Sequence, residues 1–296
     1  MTTAVNAGRS TASRRAVWWW VRLAAAAGTL AVLVWRLGTS PFLDGLRAVD
    51  GGALAASSGL AVLTTVCCAW RWRIVARGLG IDLPLGTAVA AYYRSLFLNV
   101  TLPGGVVGDV HRGISHGLRA VAWERSAGQV VQISLAVAVL LVAASPVRPL
   151  MPLVALGLVA AAVGLAWGMR RSTVAARELR GLLARRAWPA VALASALVVA
   201  GHAVTFLIAA RTAGVTAPAS QILPLALLVL LGAALPNVAG WGPREGVTAW
   251  AFAAAGLGAS LGVATAVAYG VMVFVATLPG AVILVVFARR DGGPDA

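Results

Sequence analysis

Residues 92–113 read YYRSLFLNVTLPGGVVGDVHRG, and this stretch decides the fold. A short apolar arm runs into Leu102-Pro103-Gly104-Gly105, and a second short arm starts at Gly108-Asp109. Proline removes a backbone donor and glycine loosens the chain, so a helix breaks here. Each arm holds about 11–17 residues, short of the roughly 20 that a helix needs to cross a bilayer. Backbone broken at membrane depth survives only where protein or a wet cavity satisfies it. The stretch therefore predicts a re-entrant helical hairpin over about residues 86–118. Residues 230–247, LLGAALPNVAGWGPREGV, repeat the pattern. Both breaks open with Leu-Pro and reach a glycine ten residues after the proline, at Gly113 and Gly246. A second re-entrant hairpin is predicted over about 222–257.

The rest of the chain agrees with a membrane setting. Its 296 residues are 60% hydrophobic and 11% charged, with a mean hydropathy of +0.89. Soluble domains are about 25% charged, so a water-soluble globule, a disordered chain and a disulfide scaffold are excluded. Apolar runs at 17–37, 53–70, 126–145, 150–169, 189–210 and 261–288 predict six full spans. Tryptophans 18, 19, 20, 70, 72, 167 and 188 lie at run ends, as in an interfacial belt. Cys67 and Cys68 are adjacent in an apolar run, poor disulfide partners and too few for a zinc site. The fold class expected is all-α and polytopic: six full transmembrane helices plus two re-entrant hairpins. The expected organisation is a polar cytoplasmic N-terminus (1–16), a single transmembrane domain (17–288) and a cytoplasmic tail (289–296).

All 24 basic residues are arginine, and the net charge is +15. In a soluble chain that would suggest nucleic acid; here the arginines cluster between apolar runs, and no nucleic-acid partner is expected. With the N-terminus inside and each hairpin returning to its own side, 17 arginines fall inside and 3 outside. The outside three are Arg47, Arg148 and Arg211. This split places both termini in the cytoplasm, in a cell-membrane protein. Three full spans separate the hairpins, so they open from opposite sides. That is the inverted-repeat arrangement of many transporters, which bind substrate at broken helices near the midplane.

Gly108-Asp109 and Gly242-Pro243-Arg244-Glu245 read as helix starts, whose free N–H groups suit an anion. Arg94, Arg112 and Arg244 add guanidinium forks that match phosphate oxygens. The candidate substrate-binding residues are Arg94, Asn99, Gly104, Gly105, Asp109, Arg112, Gly242, Arg244 and Glu245. The alternative for the charged members is structural pairing, Asp109 with Arg112 and Glu245 with Arg94 or Arg244. Glu124 and Arg125 are expected at the membrane interface, His111 and His116 in interfacial hydrogen bonds, and His202 in a helix-to-helix hydrogen bond. The run from Arg170 to Arg186 reads as an amphipathic cytoplasmic loop near anionic lipid. No catalytic motif and no metal-ligand spacing is found, and no cofactor is expected.

These residues also resemble a family. The two signature stretches are similar to those of the lysylphosphatidylglycerol synthase transmembrane-region family, over roughly Val17 to Ala288. The first is carried by Arg94, Asn99, Leu102, Pro103, Gly104, Gly105, Gly108, Asp109 and Arg112, the second by Pro236, Gly240, Gly242, Arg244, Glu245 and Gly246. Pro243 departs from the apolar residue expected there. The chain ends six residues after Arg290. The resemblance thus implies a lipid-handling membrane domain without the soluble aminoacyl-transferase domain of full-length relatives. The function expected is a flippase or transporter for a phospholipid or polyprenyl-phosphate-linked lipid, its partner a membrane lipid with an anionic headgroup. The alternatives are a membrane-embedded transferase using a lipid-phosphate donor and a non-catalytic partner of a glycosyltransferase or synthase.

Overall fold

The computed structural model describes residues 20–21, 23–102, 106–143, 147–170, 187–233 and 241–291. Gly104, Gly105, Pro236, Gly240, the N-terminal segment 1–16, the loop 171–186 and the end of the tail lie outside them. Among the described residues the architecture is helical: α1 Leu23–Leu37, then α2 Ser40–Arg47, α3 Gly51–Gly78, α4 Leu85–Thr101, α5 Val107–His116 and α6 Leu118–Val142. A single 3-10 turn, Arg148–Leu150, leads into α7 Met151–Arg170. The chain continues with α8 Ala187–Thr212, α9 Ala219–Gly232, α10 Pro243–Ala254 and α11 Ala259–Asp291.

Four helices, α3, α6, α8 and α11, are long and apolar enough to cross a membrane. Of the first apolar run, residues 23–37 form α1, and after the run the chain bends by 100° into α2. The fourth run becomes α7, 20 residues long. Two spans outgrow their apolar runs: α3 continues past Trp70 to Gly78, and α6 begins at Leu118 rather than Ser126. Asp50 starts α3 by accepting a hydrogen bond from the Ala53 N–H at 2.7 Å, a side-chain N-cap.

Both broken regions are helical hairpins. In the first, Asp109 of α5 meets Ser95 of α4, and at the base Gly117 lies against Ile81. In the second, Gly232 lies against Val247, and at the base Gln221 Nε2 donates to the Ala255 carbonyl at 3.3 Å. The first pair of helices stops at Thr101 and resumes at Val107, and the second stops at Gly232 and resumes at Pro243.

The hairpins enter the bundle from opposite ends. Helices α3 and α8 are antiparallel, since Arg71 meets Ser195, Thr64 meets Gly201, and Ala53 lies near Leu207 and Ile208. The first hairpin is rooted at the C-terminal end of α3 and the second at the C-terminal end of α8. Helix α11 passes both. Its Gly280 faces Tyr93 and Phe97 of α4, its Gly270 faces Arg244, and its Gly262 faces Thr248, Ala249 and Phe252 of α10. Extending these contacts to the tips brings Thr101 and Gly242 level with about residues 270–275 of α11, near its middle. The arginine-rich ends of α3, α7 and α11 share the end of the bundle where the first hairpin closes, and Arg47, Arg148 and Arg211 lie at the other end.

Candidate functional site

The first hairpin is anchored by a buried network of charge. Its hub is Glu124 on α6, which is 0% exposed. Glu124 Oε1 accepts from Arg71 Nε at 2.9 Å, from Arg71 Nη2 and from the Tyr92 hydroxyl at 3.0 Å. Its Oε2 accepts from Arg112 Nη2 at 3.0 Å. Arg112 also donates to Asp109 at 3.0 Å, and Arg125 Nη2 reaches Asp109 at 2.7 Å. Asp109 further accepts from Ser95 and Asn99, both at 3.1 Å. Asn99 Oδ1 takes the Gly108 N–H at 2.8 Å, satisfying a free donor at the start of α5. Three arginines thus share two carboxylates, a formal excess of one positive charge.

Two further devices hold this charge in place. The Arg112 guanidinium, 1% exposed, lies 4.4 Å from the Trp72 ring centre and 4.1 Å from that of Tyr92. Its Nε and Nη1 have no hydrogen-bond acceptor, and these ring faces are their partners. Arg71 lies over Gly128 of α6, where a Cβ would come within 2.7 Å of Nη1. Glycine at 128 is the vacancy that the guanidinium fills.

The second hairpin repeats the scheme on a smaller scale. Glu245 is buried and accepts from Arg244 Nε at 3.0 Å and from Nη2 at 2.5 Å. Its other oxygen accepts the Gly242 N–H at 2.7 Å, capping α10, with Pro243 at the first helical position. Gly242 has φ +107°, a region open to glycine, and a Cβ there would strike Ala26 of α1. Arg244 lies 5.5 Å from the ring centres of Trp241 and Tyr269, over Gly270, where a Cβ would come within 2.5 Å of Nη2.

A cavity of about 190 Å³ lies between the two clusters, walled by α3, α4, α6, α8 and α11. Arg71, Tyr92 and Arg125 face it from the first network. Gln132, which donates to the Leu230 carbonyl at the end of α9, and His202 face it from the other side. His202 Nδ1 pairs with the Tyr269 hydroxyl at 3.1 Å, and Tyr269 in turn touches Arg244. The cavity is therefore in contact with both hairpins through one intervening side chain or less.

The candidate residues from the sequence fall into three places. Asn99, Asp109 and Arg112 meet in the first network, and Gly242, Arg244 and Glu245 in the second. Arg94 stands apart from both, its guanidinium 4.7 Å from the Phe287 ring centre. Phe287 lies 17 residues beyond Gly270 on α11, about 25 Å along the axis. Arg94 and Arg244 therefore do not share one headgroup-sized site. Gly104 and Gly105 lie outside the described residues.

Several expectations are corrected. Glu124 and Arg125 are not interfacial: Glu124 is the buried hub and Arg125 lines the cavity. Trp72 is fully buried against Arg112 rather than in an aromatic belt. Arg71, Arg112 and Arg125 belong to the bundle interior, not to loops, which lowers the inside arginine count from 17 to 14, still against 3. The reason is common to all: charge ends an apolar run in sequence, whereas in the fold these charges neutralise one another across three helices. Arg71, Tyr92, Gln129, Gln132 and Ser195 were not candidates. No local spacing marks Arg71: it stands one residue beyond an apolar run, and the two small residues beside it in the fold, Gly128 and Ser195, lie on other helices. His202 does make the helix-to-helix bond expected of it, and Cys67 and Cys68 are free. His116 packs edge-on against Trp72.

No curated protein matches the chain. Its buried-arginine hairpins, its apolar helices and the match of residues 19–280 to the family described as Lysylphosphatidylglycerol synthase TM region place it together: the chain is a multi-pass membrane protein, with a lipid-related function, that belongs to that family.

Proposed function

We propose that the protein moves an anionic phospholipid, or a polyprenyl-phosphate-linked lipid, between the leaflets of the cell membrane. The observation that carries this reading is the arginine-faced cavity at the level reached by the tips of two hairpins that enter from opposite ends of the bundle. Irregular backbone and buried charge are costly in a membrane, and their usual use is a substrate pathway. In this reading the hairpins are re-entrant and both termini are cytoplasmic. Arg112 and Arg244 hold the two hairpins through Asp109 and Glu245, carboxylates that Asn99 and the Gly242 N–H also bind, while Gly104 and Gly105 let the first tip approach the headgroup. Arg94 attracts lipid at the rim. Arg71 and Arg125 present positive charge to the headgroup phosphate. The pairing of Asp109 and Glu245 with arginine favours transport over the transferase alternative, which needs a carboxylate free to act as a base.

The test is leaflet exchange of acyl-labelled phosphatidylglycerol in proteoliposomes. A charge-assisted contact is worth about 1.5–3 kcal/mol, so Arg125→Ala should slow exchange by one to two orders of magnitude. Lys at 125 keeps the charge but loses the fork, so it should rescue in part. Exchange by wild-type protein at the rate of protein-free vesicles would refute transport.

A further inference from the structure

Imidazole is the side chain whose charge changes most readily near neutral pH. The chain has three histidines. His111 and His116 belong to α5, and His202, on α8, is the one that lines the central cavity. It stands about 22 Å from the start of α8 and about 15 Å from its end, well inside the bundle.

Its partner accommodates two protonation states. Nδ1 pairs with the Tyr269 hydroxyl at 3.1 Å. A hydroxyl both donates and accepts. It can donate to Nδ1 of the neutral ring, and after protonation it can turn and accept from Nδ1–H. Neither state strands a polar group at this contact. With Nδ1 so engaged, Nε2 is the ring nitrogen left for a group in the cavity.

The surrounding charges decide which state is held. Helix α8 packs on α3, α6, α9 and α11. Cys68 and Arg71 of α3, Tyr92 of α4 and Arg125 of α6 line the same cavity. Glu124 stands behind them, bound to Arg71 and Tyr92. Helix α9 has no titratable side chain. On α11, Tyr269 lies against Arg244 of α10, which holds Glu245. Among the described residues no carboxylate lines the cavity, so an imidazolium would be a third cation beside two guanidinium groups. An anion entering the cavity reverses that balance. The two events are then linked, because the factor by which the anion raises proton affinity is the factor by which the proton raises anion affinity.

We propose that His202 is a proton-binding site coupled to anion binding: it takes up one proton from water when a negative group enters the cavity and returns it when that group leaves. The proposal rests on the transport reading for its role, which is to carry a proton with the headgroup, so that a pH difference across the membrane drives the movement. It asks for a fixed negative charge and for no particular headgroup.

The probe is phosphatidylglycerol, whose phosphodiester stays ionised between pH 6 and 8, so the lipid itself contributes no proton. Wild-type protein in weakly buffered neutral detergent is mixed with the lipid at pH 7 beside an indicator dye, against protein-free micelles. A substantial fraction of one proton should be taken up per lipid bound, and binding without uptake overturns the proposal. Calorimetric titration should show affinity falling at least about tenfold from pH 6 to pH 8. His202→Asn keeps an acceptor for the Tyr269 hydroxyl but cannot titrate, and its affinity should vary less than about twofold over the same range. His202→Gln serves if the first variant does not elute as a single species. His111→Asn, on the exposed side of α5, should keep the wild-type pH dependence. A slope that persists without His202, or that vanishes without His111, overturns the assignment. In proteoliposomes, a difference of one pH unit should speed exchange of labelled lipid from the acidic to the alkaline side at least about threefold in wild type and leave His202→Asn unchanged. Exchange at a rate indifferent to the gradient, with no proton uptake, refutes the coupling while transport stands. Proton uptake on binding with no exchange under any gradient refutes transport while the proton site stands.

Discussion

Glu124→Gln tests the buried network at its hub. The substitution keeps the shape and one carbonyl acceptor, but it removes the charge that faces Arg71 and Arg112. Formal charge in the cluster rises from +1 to +2. Opposite charges at about 4 Å interact by about 4 kcal/mol at an effective dielectric of 20. Breaking one buried pair by deleting a partner costs about 3–5 kcal/mol, because the remaining charge is left uncompensated. Total stability is about 5–15 kcal/mol, so the loss is a large fraction of it. At about 2–4 °C per kcal/mol for a chain of this size class, the melting temperature in detergent should fall by about 6–20 °C. Two milder variants set the order. Asp109→Asn should cost less, because the Asp109 side chain is 15% exposed and its arginines keep other partners. Tyr92→Phe removes one donor from Glu124, which retains both arginines, and should cost about 0.5–1.5 kcal/mol. Fluorescence-detected thermal stability in one detergent gives all three. A fall of less than about 2 °C for Glu124→Gln, or a larger fall for Tyr92→Phe, would refute the hub reading.

Gly128→Ala and Gly270→Ala should each displace a buried guanidinium and cost about 1–3 kcal/mol by overpacking. Gly59→Ala on α3, where a Cβ would meet nothing within 4 Å, should match or exceed wild-type stability in the same melts. Reporter fusions at Arg180 and Gly293 should report the cytoplasm and one at Val215 the outside; an outside signal at Arg180 would overturn the topology.

How much could be read beforehand follows from what each signal measures. Pro103, Gly242 and Pro243 act on the backbone locally, so the two hairpins and the helix start at Gly242-Pro243 were legible from short stretches. Opposed hairpins were also expected, from the three apolar runs that lie between them. The buried hub was not legible, since Glu124 acquires its role only when Arg71, 53 residues earlier, and Arg112 converge on it from separate helices. In sequence an arginine next to an apolar run looks like a loop residue. Nothing near Arg71 reveals that its carboxylate is on α6 and its clearance at Gly128. The place of Arg94 was hidden for another reason: it shares the first signature with Arg112, but Arg112 turns toward Trp72 and Tyr92 while Arg94 reaches Phe287.

Helix α11 carries Pro279 in its interior, directly before Gly280. Proline cannot donate to the carbonyl four residues earlier, so one rung of the helical ladder is missing at that point. The gap falls between the stretch that docks the second hairpin, Gly262 to Gly270, and the stretch that docks the first, Gly280 to Phe287. The helix is thus a lever with its softest joint at the fulcrum. Phe287 lies about 12 Å past the joint, so a bend of about 10° sweeps its ring by about 2 Å. Arg94 sits 4.7 Å from that ring, and such contacts fade beyond about 6 Å. A bend of that size at Pro279 would carry Phe287 away from Arg94 of the first hairpin without altering any contact of the second.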